Sequence, residues 1–122
     1  MLREEIMNMR PGRELDALIA EKVMGWEKRY LPMTDKEYWF NPNSEDPVSM
    51  PWLDEWNPST DIAAAFEVME ELQSSHLYID VRTCADFYEV WITRWDTKKQ
   101  TETIAYPKLP EAICKAALIA IL

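Results

Sequence analysis

Glycine is nearly absent from this chain. Of 122 residues only Gly12 and Gly25 are glycine, so a glycine-built phosphate cradle such as GxGxxG or a P-loop is excluded. Histidine is scarcer still, with His76 alone. Catalysis needs a nucleophile, base or metal constellation, and His76 with Cys84 and Cys114 fits neither a zinc site nor a redox CxxC. Two cysteines are too few for a disulfide scaffold and read as small buried apolar residues. Nothing approaches the ~20 consecutive apolar residues of a membrane helix. The opening MLREEIMNMR alternates charge with apolar residues instead of forming the apolar centre of a signal peptide. A cytosolic protein without membrane contact is expected, and no metal or cofactor is.

Positive charge is also short. The chain has 13 basic against 22 acidic residues, a net charge of -9, so its mean surface potential repels phosphate backbones and direct nucleic-acid binding is not expected. The acids are interspersed with basic residues, which disfavours mimicry of DNA. What the chain does have is apolar substance: 48% of residues are hydrophobic, enough for one packed domain over residues 1–122.

After Arg10-Pro11-Gly12, the residues Leu15, Leu18, Ile19, Val23 and Trp26 recur at helical spacing, predicting an amphipathic helix over about 13–26 that Gly25 helps to end. From Tyr30 to Pro58 the periodicity is lost among five prolines, and the segment reads as a long loop that its aromatics pack down. Ser59, Thr60 and Asp61 then suit a helix start. Ile62, Ala65, Phe66, Met69 and Leu72 trace one face of a helix over about 60–73. Alternation marks a strand from Leu77 to Arg82. A second runs from Phe87 to Asp96, whose two faces both carry apolar residues, as a central strand covered on both sides would. Thr101 to Tyr106 completes a meander, and Glu111 to Ile121 forms an apolar helix that must be buried against the sheet or another subunit.

The order helix, loop, helix, three strands, helix predicts an α/β (α+β) fold, and its last five elements match the order of double-stranded RNA-binding domains. With only Lys115 as a basic residue on the last helix, that function does not follow from the topology. Three strings carry a more specific likeness: PGRELDAL with AEKVMGW over residues 11–26, STDIAAAFEV over 59–68, and PEAICKAAL over 110–118. Together they resemble the phage ABA sandwich domain family across nearly the whole chain. That resemblance implies a three-layer α/β/α sandwich with a small antiparallel three-stranded sheet, and a phage or prophage origin. It implies no activity.

The remaining candidates come from aromatic and cationic residues. Six tryptophans and five tyrosines exceed what such a core requires. One reading puts Trp26, Trp91 and Trp95 in the core, with Trp39, Trp52 and Trp56 pinning the loop. The other makes Trp39 and Trp56 a stacking platform beside Arg82 and Arg94, with the helix start at Ser59 and Thr60 as a phosphate seat. Against it, Arg82 and Arg94 can equally pair with Asp80, Glu89 or Asp96, and Arg13 beside Glu14 and Asp16 reads as structural. Two functions are compatible with these residues. The first is a non-enzymatic counter-defence protein sequestering a small nucleotide-derived signal, built as a homo-oligomer through the apolar last helix. The second is a module that binds a host or phage protein through its acidic surface and aromatic loop.

Overall fold

The computed structural model describes residues 2–44 and 51–122. Part of the expected loop, 45–50, lies outside them. The chain opens with a short helix α1 (Arg3–Asn8) and continues into α2 (Arg13–Leu18), which widens into a π-helical turn over Ile19–Val23. The widening is visible in the hydrogen bond from the Met24 N–H to the Ile19 carbonyl, one residue longer than an α-helical bond. Gly25 ends the segment at φ +72, a left-handed conformation that favours glycine.

The predicted loop contains regular structure that periodicity did not reveal. β1 (Glu27–Leu31) and β2 (Lys36–Phe40) form an antiparallel hairpin in which Lys28 faces Trp39 and Tyr30 faces Glu37. Asp35 takes the positive-φ position of the turn, a place Asp tolerates. The chain then returns along β2: the Trp39 N–H donates to the Pro51 carbonyl, and the Leu53 N–H donates to the Glu37 carbonyl. β1 is solvent-exposed along its whole length, so it has no apolar alternation by which to be recognised.

Asp61 caps α3 (Ile62–Ser74), its carboxylate accepting from the Ala63 N–H at 3.2 Å. After a turn at His76, β3 (Leu77–Thr83), β4 (Tyr88–Arg94) and β5 (Ile104–Tyr106) form an antiparallel sheet in the order β3-β4-β5. α4 (Leu109–Ala120) closes the fold. As expected, the class is an α+β sandwich with β4 as the central strand.

The layering has its own logic. α3 packs on β3, α4 packs on β4 and β5, and the two helices touch each other, so both lie on one face of the sheet. That face supplies the buried Leu77, Val90, Ile92 and Ile104. α4 is enclosed on its far side by α1 and the π-helical turn, and every residue from Ala112 to Leu118 is buried. Burial of the last helix is therefore met within one chain. On the opposite face no helix among the described residues is packed over β4, and Tyr78 and Trp95 pack on each other there. Tyr78 and Trp95 meet edge to face with ring centroids 5.3 Å apart, so Trp95 is 56% exposed and is not the core residue its periodicity suggested.

A buried polar network ties the ends of the chain together. The Lys115 ammonium donates to Glu111 at 2.8 Å, to the Met7 carbonyl at 3.0 Å and to the Tyr106 hydroxyl at 3.2 Å. All three of its donors are used, which is what makes a buried lysine tolerable.

Candidate functional site

The structure separates the residues that the sequence reading had grouped. Trp39 is buried in the core, and Trp56 is buried under α3 with its indole N–H donating to Glu67 at 2.8 Å. Trp56 packs on Trp26 at 4.6 Å between centroids. Both indoles are thus committed to packing, as the loop-pinning alternative had it. The phosphate seat at Ser59 and Thr60 is corrected outright, because its donors are occupied. The Ser59 N–H donates to Asp16 at 2.8 Å, and the N–H groups of Thr60 and Asp61 donate to the Asn57 carbonyl. The groove beside Trp56 is lined by Glu55, Asp61 and Glu67 with no cation, an unfavourable setting for phosphate.

Arg82 and Arg94 are equally far from a common cleft. Arg82 lies opposite Glu89 and Arg94 opposite Leu77, which sets them about 17 Å apart along the hairpin and on opposite faces of it. Arg94 has Asp96 within 3.8 Å. Arg94 thus follows the surface-pairing alternative, while Arg82 stands opposite Glu89 with no ion pair among the described residues.

A different groove emerges between α2 and the hairpin, with a volume of about 390 Å³. α2 contributes Arg13, Asp16 and Ala17, β1 contributes Lys28, and β2 contributes Lys36, Glu37 and the edge of Trp39. The returning segment adds Leu53 and Asp54. Strand register explains part of the convergence, since Lys28, Glu37 and Trp39 share one face of the hairpin, whereas Lys36 starts from the opposite face and reaches the groove only at its edge. The backbone bonds of 51–53 to β2 carry Leu53 and Asp54 to the rim. Trp39 is the one residue of this groove that the sequence reading had selected.

Its cations are free of partners of opposite charge: among the described residues none of Arg13, Lys28 and Lys36 forms an ion pair. Lys36 lies 5.5 Å from the centroid of the Trp52 ring. Asp16 forms the floor beside them. Burial raises its carboxyl above the ordinary value, opposed by hydrogen bonds from Ser59. The Ser59 hydroxyl in turn accepts from the Gly12 N–H at 2.9 Å. Asp16, Ser59 and Gly12 therefore lock the start of α2 to the end of the returning segment, fixing two walls of the groove against each other.

The rest of the chemical inventory is sparse. Among the described residues no cluster of three or more His, Cys, Asp or Glu is placed to hold a metal ion, and no helix is long and apolar enough to cross a membrane. Burial pushes the Cys114 thiol well above its ordinary value, while Cys84 is half-buried beside Glu89. His76 is an exposed turn residue at φ 60. Lys28 and Lys36 escaped sequence reasoning, and Arg13 was read there as structural, because charged residues on exposed strands and helix starts look like any solvated surface. Asp16 escaped it because its partner is 43 positions away.

Comparison with curated proteins and with solved structures gave no match. The phage ABA sandwich domain, in contrast, matches residues 17–118, a span that begins just after Arg13 and Asp16 of the groove and takes in the hairpin, the sheet and nearly all of α4, and the chain therefore belongs to the phage ABA sandwich domain family.

Proposed function

We propose that this protein binds, without transforming, a small phosphorylated ligand of nucleotide type in the groove between α2 and the hairpin, and that it serves a phage in the host cytosol by withdrawing such a signal from a defence system. The observation that carries the reading is that Arg13 and Lys28 line one groove, with Lys36 at its edge, and that none of the three forms an ion pair among the described residues. Three cations suit phosphate oxygens. Glu37 and Asp54 on the same rim can accept hydrogen bonds from the N–H and hydroxyl groups of a base or sugar. A volume of about 390 Å³ lies in the range of small-molecule sites, roughly 300–1,000 Å³. Asp16 is held by the Ser59 N–H and acts as a wall, not as an acid or base.

Titration calorimetry with ADP-ribose and with cyclic dinucleotides tests this. At least one ligand should bind saturably and be recovered intact. Lys28→Ala and Lys36→Ala should each weaken it ~10-fold or more, the scale of one charged hydrogen bond. No heat and no thermal stabilisation from any of these ligands, or their turnover, would overturn it.

A second reading, docking on a host or phage protein, is supported by a different observation. Trp95 and Phe87 stand exposed at the ends of β4 on a chain of net charge -9, a combination that suits a basic partner with an apolar contact. Stoichiometric capture of a basic protein that is lost in Trp95→Ala, with the groove cations intact, would favour this reading over the first.

A further inference from the structure

We infer that a second copy of this chain docks antiparallel on the free edge of β3, joining two three-stranded sheets into one continuous six-stranded sheet. β3 is seven residues long and, among the described residues, pairs with β4 on one side only. Its sequence, LYIDVRT, has none of the proline or lysine with which proteins commonly blunt such an edge. The direction of its peptide groups can be read from the bonds that flank it. The Cys84 N–H donates to the Phe87 carbonyl, and the Trp95 N–H donates to the His76 carbonyl. Both pairs continue the β3-β4 register, so even-numbered residues aim their peptide groups at β4. Ile79, Val81 and Thr83 aim theirs outward, where no backbone or side-chain group among the described residues meets them.

Charge then selects both the occupant and the register. An antiparallel pair related by a twofold axis at Val81 places Val81 opposite its own copy and Ile79 opposite Thr83, giving about six backbone hydrogen bonds. On the open face the same register sets Asp80 opposite Arg82 of the other copy, and Arg82 opposite its Asp80. These are non-hydrogen-bonded positions, where side chains stand closest. Moving the axis to Asp80 opposes two aspartates, and moving it to Arg82 opposes two arginines. Only the Val81 register is complementary, and it is complementary to itself, as a twofold interface requires.

The helix face adds an apolar contact beside the axis. Val81 lies four residues beyond Leu77, roughly 13 Å along the strand, a length that about nine helical residues counted back from Ser74 also span. That brings Phe66 level with Val81. Phe66 is 56% exposed and Val81 37% exposed, and Phe66 forms with Met69 and Ile79 a shallow apolar groove along this edge. The twofold brings Phe66 of each copy toward the other. This surface is separate from the groove of α2 and the hairpin and does not depend on what that groove binds.

Analytical ultracentrifugation of the full chain is the test, with circular dichroism on each variant to confirm the fold. The expected species has twice the 14.4 kDa chain mass. Asp80→Arg and Arg82→Asp should each weaken the dimer ~10-fold or more by placing like charges opposite each other, and the double exchange should restore it. Val81→Pro, which removes an outward N–H and no bond to β4, should give a folded monomer. A wild-type chain that stays monomeric up to about 100 µM, far above a micromolar dissociation constant, overturns the inference and leaves the edge to a strand of another protein. A dimer indifferent to the single exchanges, or one that the double exchange does not restore, also overturns it.

Discussion

The two faces of the three-stranded sheet both carry large apolar side chains and are finished in different ways. Val90, Ile92 and Ile104 on one face are buried under α3 and α4. On the other, Tyr78 and Trp95 shield one another in part, and they and Trp91 have no helix above them among the described residues. The contrast teaches that alternation identifies a strand but does not report what covers it. Aliphatic side chains need a second layer to leave water, whereas indole and phenol rings hide part of their area in edge-to-face pairs and leave a polar tip wet.

Substitutions across the two faces sharpen the contrast. Ile92→Ala should be the most damaging, costing about 4 kcal/mol, since it opens a cavity between sheet and helices. Urea denaturation with an unchanged slope would register the loss. Lys115→Ala, at the end of the covered face, should cost about 3 kcal/mol by stranding Glu111 and removing the link to Met7. Lys115→Met should recover only the smaller part of that loss that comes from the missing stem, because Glu111 is stranded in both variants while Tyr106 still donates to the Met7 carbonyl at 3.0 Å. Trp91→Ala on the open face should cost only about 1 kcal/mol, as no enclosed cavity is left. If Trp91→Ala equals Ile92→Ala in cost, the open face is covered in solution, and the contrast breaks.

The smallest effect is a change in pH dependence. Asp16 has its carboxyl raised by burial above the ordinary 3.8, so the folded chain binds this proton more tightly than the unfolded one. Its contribution is therefore fully present at low pH and is lost as pH rises from about 4 through the folded value. Asp16→Asn keeps an acceptor for the Ser59 N–H and removes the ionisation. The stability of wild type minus Asp16→Asn, followed from pH 3 upward by thermal unfolding, should fall and then level off. A rise across that window would reverse the assignment.

Much of the architecture was legible because it was written in local periodicity. The helices around Leu15 and Met69, the alternation of Leu77 to Arg82 and the apolar last helix all signal themselves within a dozen residues. The hairpin of β1 and β2 did not, because Glu27 to Leu31 is exposed on both faces and Pro32 stands where its turn begins. Its pairing rests on Trp39, which is buried, and on bonds to Pro51 and Leu53 made only after the chain has doubled back. The candidate site shares that fate. Trp39 stood out as an aromatic, but Arg13, Lys28 and Lys36 become a group only when hairpin and helix meet, and Asp16 and Ser59 find each other across 43 positions. Arg82 and Arg94 misled for the converse reason: on neighbouring strands they look close, while strand parity sends them to opposite faces.

The enclosure of α4 also bears on how the chain is made. Residues 109–120 touch α1, the π-helical turn, α3, β4 and β5, so the elements that precede α4 in the chain lack much of their packing until this helix has joined them. Such long-range contacts slow folding, and a nascent chain stalled before Leu109 would present the undersides of both the sheet and α1 to chaperones. The fold should therefore form in one step once α4 is present, with protease resistance appearing together in α1 and α4.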